Sequence, residues 1–310
     1  MSFSSDISDL LGRLGIDNSS PAAPPPGSPY SALYVFGDSL SDAGNDYNFT
    51  LGQVPVSPPY SDGRFSNGPV WAQDLGNQLG LSVTPSLAGG TDFAYGGADT
   101  GGTPTHQASP IDLNSQLVQF QLQDPQPAAD GLYAVWIGSN DVLDALAHGG
   151  DNAMADVQAA VNNEMQFISG LAGEGARDLL VLNVPDLGRV PVAAAEGPEY
   201  AAQATSLSST YNTLLANDLA AFEAANPAVD IHSVDTFSLL DQATSDPASF
   251  GFTNVTTPLW SGNLTDPNSG TLATTDPQGQ AGYLFFDGLH PTAQAHALIA
   301  DAAAQTLAVA

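Results

Sequence analysis

Four near-continuous apolar runs limit the folds open to this chain: residues 32–36 (ALYVF), 132–137 (LYAVWI), 179–184 (LLVLNV) and 229–234 (VDIHSV). A strand that is apolar on both sides must be covered on both sides, as strands are in a parallel sheet. Helical patterns separate the runs, at 70–79, 113–123, 153–171 and 201–225, and another at 293–307 closes the chain. Such alternation predicts an α/β fold with a parallel sheet covered on both faces. Right-handed crossovers then bring the loops that follow the strands to one edge, where α/β proteins bind ligands. No internal repeat of solenoid period is present.

Residues 1–29 stand apart from this rhythm. Residues 5–16 (SDISDLLGRLGI) fit a short amphipathic helix with Ile7, Leu10, Leu11 and Leu14 on one side, or equally a loosely packed arm. The prolines of residues 19–29 (SSPAAPPPGSP) exclude a helix or central strand and predict a stiff, exposed linker. The folded domain is therefore expected over residues 30–310. Residues 238–284 break the rhythm again, being rich in Gly, Pro, Thr and Asn but carrying Phe250, Phe252, Trp260 and Tyr283, with Phe285 and Phe286 just beyond. A long irregular segment with this aromatic content reads as a loop over a substrate, or as a plain surface excursion.

Charge excludes several functions. The basic residues are Arg13, Arg64, Arg177 and Arg189, set against 33 Asp and Glu, for a net charge of −29. Such a field repels polyanions, so neither nucleic acid nor an anionic lipid surface is an expected partner. There is no cysteine, which removes disulfides, thiolate metal sites and a cysteine nucleophile. Met1 to Asp17 has neither a basic start nor an apolar run, so it does not read as a secretory signal peptide. No stretch approaches the ~18 apolar residues that span a bilayer. The expectation is a soluble protein, with secretion by a route needing no classical signal as the alternative.

Four blocks carry candidate chemistry. In VFGDSLSDAGN (35–45) a buried strand ends at Gly37 and Ser39 follows, where its hydroxyl would be exposed at the sheet edge; a structural turn is the alternative. In FFDGLHPT (285–292) Asp287 and His290 are three residues apart, close enough for the carboxylate to fix the imidazole tautomer. The alternatives are a helix cap for Asp287 and an ordinary loop histidine for His290. In WIGSNDVLDAL (136–146) the amide of Asn140, at the mouth of a strand, is an uncharged donor for an oxyanion, or else an Asx turn or N-cap. In DFAYGGADTG (92–101) the adjacent glycines Gly96 and Gly97 let the backbone approach closely and bare an N–H, or simply form a tight turn.

Together these blocks resemble those of the GDSL/SGNH hydrolase family, in the same order. SDGRFSNGPVWAQDL (61–75) and VLNVPDLGRVP (181–191) extend the resemblance from about Leu33 to the C-terminus. The longer pattern is similar to the plant and bacterial lipase/esterase branch, which includes autotransporter esterases and phospholipid acyltransferases. No membrane barrel follows in the sequence, so the autotransporter arrangement is not expected. The resemblance implies a three-layer α/β/α sandwich with a flavodoxin-like parallel sheet, and hydrolysis of small-molecule or lipid acyl esters without a metal or cofactor. It implies Ser39 as nucleophile, His290 as base, Asp287 as its orienter, and an oxyanion hole of Ser39, Gly97 (rather than Gly96) and Asn140. No G-x-S-x-G occurs, so the usual α/β-hydrolase elbow is not expected. Two other readings use the same residues: an acyltransferase with an alcohol as acceptor, and a non-catalytic surface-binding module that retains the fold.

Other polar residues read as structural. Asp38, Asp42 and Asn45 are expected to brace the serine loop, with capping as the alternative. Arg64 fits a structural salt bridge, with a substrate anion as the alternative, and His106, His148, His232 and His296 fit surface or core positions. No calcium-loop pattern is present. Acyl selectivity is expected to reside near residues 60–65 and 238–286.

Overall fold

The computed structural model describes residues 29–124 and 127–308. The expected N-terminal helix and nearly all of the proline-rich linker lie outside the described residues. Four strands pair in parallel in the order β1 (Leu33–Gly37), β2 (Leu132–Trp136), β3 (Asp178–Leu182) and β4 (Asp230–Val234). Their starts are in register, Leu33 opposite Leu132, Leu132 opposite Asp178, and Asp178 opposite Asp230. The principal helices are α1 (Trp71–Leu79), α2 (Leu113–Gln123), α3 (Ser139–Asp144), α4 (Ala153–Glu174), α5 (Pro198–Ala225), α6 (Thr236–Ser245) and α7 (Ala293–Ala308).

The two-residue period of a strand sorts its side chains into two cores. Leu33, Val35, Leu132, Ala134, Trp136, Leu180 and Leu182 meet Trp71 and Leu75 of α1 and Ile299, Ala300 and Ala303 of α7. The intervening Tyr34, Phe36, Tyr133, Val135, Leu179 and Val181 meet Phe120 of α2, Phe167 and Leu171 of α4, and Tyr211 and Leu215 of α5. The fold is thus the three-layer α/β/α sandwich, and the near-continuous apolar runs are explained by burial on both faces. β4 departs from that reading. It is a sheet edge, with Asp230 and Ser233 exposed and only His232 and Val234 buried.

A fifth segment completes the sheet beyond β1. Residues 91–95 run beside it, with the Val35 N–H donating to Thr91 O (3.0 Å), Phe93 N–H to Val35 O (2.7 Å) and Tyr95 N–H to Gly37 O (3.2 Å). Counted as a strand, this segment gives the chain order 2-1-3-4-5 of a flavodoxin-like sheet. The chain leaves β1 first to one side and then to the other, and the crevice at that reversal lies between the ends of β1 and β2. Ser39 and Asn140 follow those two strands directly.

The segment expected to be irregular over 238–284 includes most of a helix, α6. Farther on, Leu259, Trp260 and Phe286 join Tyr60 in a small separate core. His296 is buried on α7, and its Nδ1 accepts the N–H of Trp71 (3.2 Å) at the start of α1. Burial holds its pKa down to about 3, so the acceptor is neutral. Among the described residues no helix is long and apolar enough to cross a membrane.

Phe120 sits at the centre of an aromatic cluster, with ring centroids 5.1 Å from Tyr34, 5.4 Å from Phe36, 5.4 Å from Phe93 and 6.2 Å from Tyr133. Its ring is fully buried. Phe120→Ala should therefore lower unfolding stability by about 3–5 kcal/mol, read from urea denaturation.

Candidate active site

Ser39 leaves the end of β1 through Gly37, whose backbone touches the neighbouring strand. A Cβ at Gly37 would lie 2.2 Å from Trp136 O, so only glycine permits this approach. The peptide groups of Gly37 are clamped by the buried side chain of Gln116 on α2. Gly37 N–H donates to Gln116 Oε1 (2.9 Å), and Gln116 Nε2 donates back to Gly37 O (2.8 Å). After Ser39 the chain turns tightly, with the N–H groups of Ser41 and Asp42 both donating to Asp38 O (3.0 and 3.1 Å).

The structure brings Ser39, His290 and Asp287 into one hydrogen-bonded chain, all three buried. His290 Nε2 lies 2.9 Å from Ser39 Oγ, and His290 Nδ1 lies 2.8 Å from Asp287 Oδ2. Asp287 Oδ1 accepts the N–H groups of Leu289 (2.8 Å) and His290 (2.7 Å), which fixes the carboxylate on its own turn. Burial alone would raise the Asp287 pKa, but His290 and the donors around it hold it down to about 2. An ionised Asp287 requires the proton on Nδ1, which leaves Nε2 to accept from the serine hydroxyl. Burial pulls the His290 pKa down, yet the Asp287 and Asp38 carboxylates outweigh it and raise the value above the ordinary one.

Two aromatic residues of the 60–65 stretch, expected to shape acyl selectivity, complete this chain instead. The Tyr60 hydroxyl donates to Asp287 Oδ2 (2.6 Å), and Tyr60 is itself buried against Phe286. Phe65 packs its ring on the His290 imidazole, centroids 5.2 Å apart. No local pattern marks Tyr60. Gln116 did carry a signal, since it falls with Leu113 and Phe120 on the buried stripe of α2.

Three N–H donors near Ser39 differ in what they already bind. Gly96 N–H donates to Asp42 Oδ2 (3.1 Å), whereas among the described residues neither Ser39 N–H nor Gly97 N–H has an acceptor. Gly97 is exposed with φ 75°, and a Cβ there would meet nothing; a Cβ at Gly96 would lie 2.2 Å from the Phe65 ring. The Asn140 amide donates once, to Ala98 O (2.7 Å), and keeps a second N–H. Asp141 beside it accepts the N–H and hydroxyl of Thr100 (3.0 and 2.6 Å), so α3 holds the 96–100 loop at two points.

These groups sit in a chain whose residues 33–303 match the family model for GDSL-like lipase/acylhydrolases. The chain belongs to that family. It is a carboxylic ester hydrolase. It is 30% identical over 312 residues to a phosphatidylcholine-sterol acyltransferase of Aeromonas hydrophila, covering 89% of each protein. It is 29% identical over 238 residues to an acetylesterase of Thermothelomyces thermophilus, covering 72% of this chain and 76% of that enzyme. It is also 31% identical over 329 residues to esterase EstA of Pseudomonas putida, covering 92% of this chain but 47% of EstA.

The cleft of this GDSL hydrolase has Ser39, Asn140 and His290 in its lining. Its walls are almost wholly apolar: Leu187 and Val190 after β3, Leu239, Leu240 and Ala243 on α6, and Leu298 and Ile299 on α7. Residues 60–65, expected near the acyl group, are not in these walls; Tyr60 and Phe65 contact Asp287 and His290 instead. Arg64 donates to Gln73 Oε1 (2.6 Å) and Ser61 O (3.3 Å), a structural bracket rather than an anion site. His106 lies between Asp99 and Asp144, 3.4 Å from each.

Buried carboxylates surround the site. Asp42 accepts the N–H groups of Gly44 (2.7 Å) and Asn45 (2.5 Å) as well as that of Gly96. Asp92 accepts from Ala43 (2.5 Å) and Ala94 (3.0 Å), while the Asn45 amide donates to Asp92 O (2.8 Å) and Ala94 O (2.9 Å). Asp38 accepts from Leu40 N–H, and its Oδ2 has no partner among the described residues. Burial raises the pKa of Asp38 to about 7, Asp42 to about 6, Asp141 to about 7 and, on α4, Glu164 to about 8.

Between the ordinary carboxylate range and these raised values the native state holds more protons than the unfolded chain, so stability falls as pH rises. Asp287 works the other way, contributing stability that is lost only as pH falls toward about 2. Melting temperature at fixed ionic strength should thus decline steadily from about pH 5 to about pH 8, and a flat or rising profile would contradict the burial of these groups.

Proposed function

We propose that the chain hydrolyses acyl esters through an acyl-enzyme on Ser39. The observation that carries this reading is the buried chain from Ser39 Oγ to His290 Nε2 (2.9 Å) and from His290 Nδ1 to Asp287 Oδ2 (2.8 Å). As Ser39 Oγ attacks the ester carbonyl carbon, His290 Nε2 takes its proton and Asp287 stabilises the imidazolium. The negative oxygen of the tetrahedral intermediate is met by the free N–H groups of Ser39 and Gly97 and by the second N–H of Asn140. Collapse breaks the bond to the alcohol oxygen, which leaves with the proton from His290. Water then attacks the acyl-serine with His290 again as base, releasing the acid and restoring Ser39. Tyr60 acts as a positioning residue, holding Asp287 against rotation. The apolar walls of α6 and α7 suit the acyl portion of a small-molecule or lipid ester.

A second reading is transfer of the acyl group to an alcohol other than water, favoured by the similarity to an enzyme named as an acyltransferase. Product analysis with an added alcohol separates the two, since transfer yields a new ester in place of free acid.

Ser39→Ala should remain folded and lose at least about 10⁴-fold in turnover of p-nitrophenyl esters, and Asn140→Ala about 10²–10³-fold. Retained turnover in purified Ser39→Ala would refute the mechanism. Because His290 must be neutral to accept the proton, kcat/KM should fall on the acid side, with a midpoint above the ordinary histidine value. Tyr60→Phe removes a donor from Asp287, strengthening its pull on the imidazolium. That variant should shift the acid limb to higher pH and lower kcat about tenfold, a pH shift that a purely packing role would not produce.

A further inference from the structure

At the edge of the sheet opposite the ester-cleaving site, three side chains far apart in sequence converge. Asp178 opens β3 and Asp230 opens β4, directly opposite each other in the parallel register, and His232 lies two residues along β4, opposite Leu180. The two-residue period puts all three on one face of the sheet. One potential ligand atom from each lies within 4.8 Å of the others.

We propose that Asp178, Asp230 and His232 form a binding site for a divalent transition-metal ion such as Zn²⁺. Two independent features point to a missing ligand. His232 is only 6% exposed, yet its Nε2 has no hydrogen-bond partner among the described residues. That nitrogen faces Asp230 Oδ2 at 3.9 Å, beyond hydrogen-bond reach. The carboxylates also face each other across adjacent strands, a pairing that like charges disfavour, and no arginine among the described residues neutralises them. Arg177, next to Asp178 in sequence, directs its guanidinium to Ala172 O (3.0 Å) and Ala176 O (2.7 Å). Arg64 pairs with Asp62 and Gln73, and Arg189 with Asp186 and Asp241.

A divalent cation answers both features, accepting the orphaned imidazole nitrogen and one oxygen from each carboxylate. One nitrogen and two oxygens suit Zn²⁺, Mn²⁺ or Co²⁺, whereas Ca²⁺ takes oxygen ligands alone. Asp230 is the exposed member, which leaves the ion an open side for water. A chain of net charge −29 also concentrates cations at its surface. The site would cross-link the edge strand β4 to β3 without touching the catalytic groups.

The test titrates EDTA-treated, dialysed protein with ZnCl₂ calorimetrically at constant ionic strength and follows thermal unfolding in parallel. The wild-type protein should bind Zn²⁺ and gain melting temperature saturably. Asp230→Asn, at an exposed position compatible with folding, and His232→Ala should each weaken that binding at least about tenfold while ester hydrolysis is kept. Absence of Zn²⁺ binding by the wild type would overturn the proposal. Wild-type affinity in both variants would place the ion elsewhere and overturn it equally. Equal stabilisation by CaCl₂ would reject the transition-metal assignment.

Discussion

Two buried carboxylates, Asp42 and Asp92, hold the parts of the site together by collecting backbone N–H groups. Asp42 gathers donors from its own turn and from Gly96, and Asp92 gathers them from Ala43 and Ala94. Each hydrogen bond to an ionised group contributes about 1.5–3 kcal/mol, but the carboxylates themselves are costly to bury. Asp92 is pushed well above the ordinary range by burial first and by the neighbouring Asp42 second. The serine loop and the glycine loop are therefore joined by a network in which hydrogen bonds offset only part of the cost of burying the charges. Loss of either carboxylate would leave several amides without acceptors at once.

Asn45 reinforces the same joint. Its amide group donates to Asp92 O and Ala94 O, and its carbonyl oxygen accepts from the Leu87 N–H (3.1 Å) and the Ser86 hydroxyl (3.2 Å). A fully satisfied buried amide of this kind specifies one arrangement of three chain segments, because any other would strand polar groups. The second joint is Asn140 and Asp141, which tether the far end of the glycine loop to α3. The loop bearing Gly97 is thus held at both ends by polar groups, while its outer surface stays open.

Much of this was readable in the chain because the strands are short and apolar on both faces. The runs around Val35, Ala134 and Leu180 are apolar apart from Asn183 and the hydroxyls of Tyr34 and Tyr133, and the helices between them keep a steady period. The edges were harder. Residues 91–95 include Thr91, whose hydroxyl donates to Ser82 O, and Asp92, whose carboxylate serves the serine loop, so they lack a strand pattern. β4 mixes exposed and buried positions because it is an edge strand of the sheet. Helix α6 was hidden because it leads into a Gly-, Pro- and Thr-rich stretch that dominates the local composition. At the site, Ser39, Asp287, His290 and Asn140 stood in short blocks with recognisable chemistry. Tyr60 and Gln116 did not, since their partners, Asp287 and Gly37, are remote in sequence and only folding brings them near.

The adjacent glycines obey different constraints, and that difference fixes the register of the loop. Gly96 is imposed by crowding from Phe65, while Gly97 is imposed by a backbone angle that side chains rarely adopt. Neither residue can take over the other's duty, so the loop cannot slip by one position and keep both. The free amide is consequently a property of backbone register, insulated from side-chain drift around it. Leu239, Leu240, Leu298 and Ile299 of the cleft walls stand on other elements, α6 and α7, so the shape of the cleft is set independently of that register.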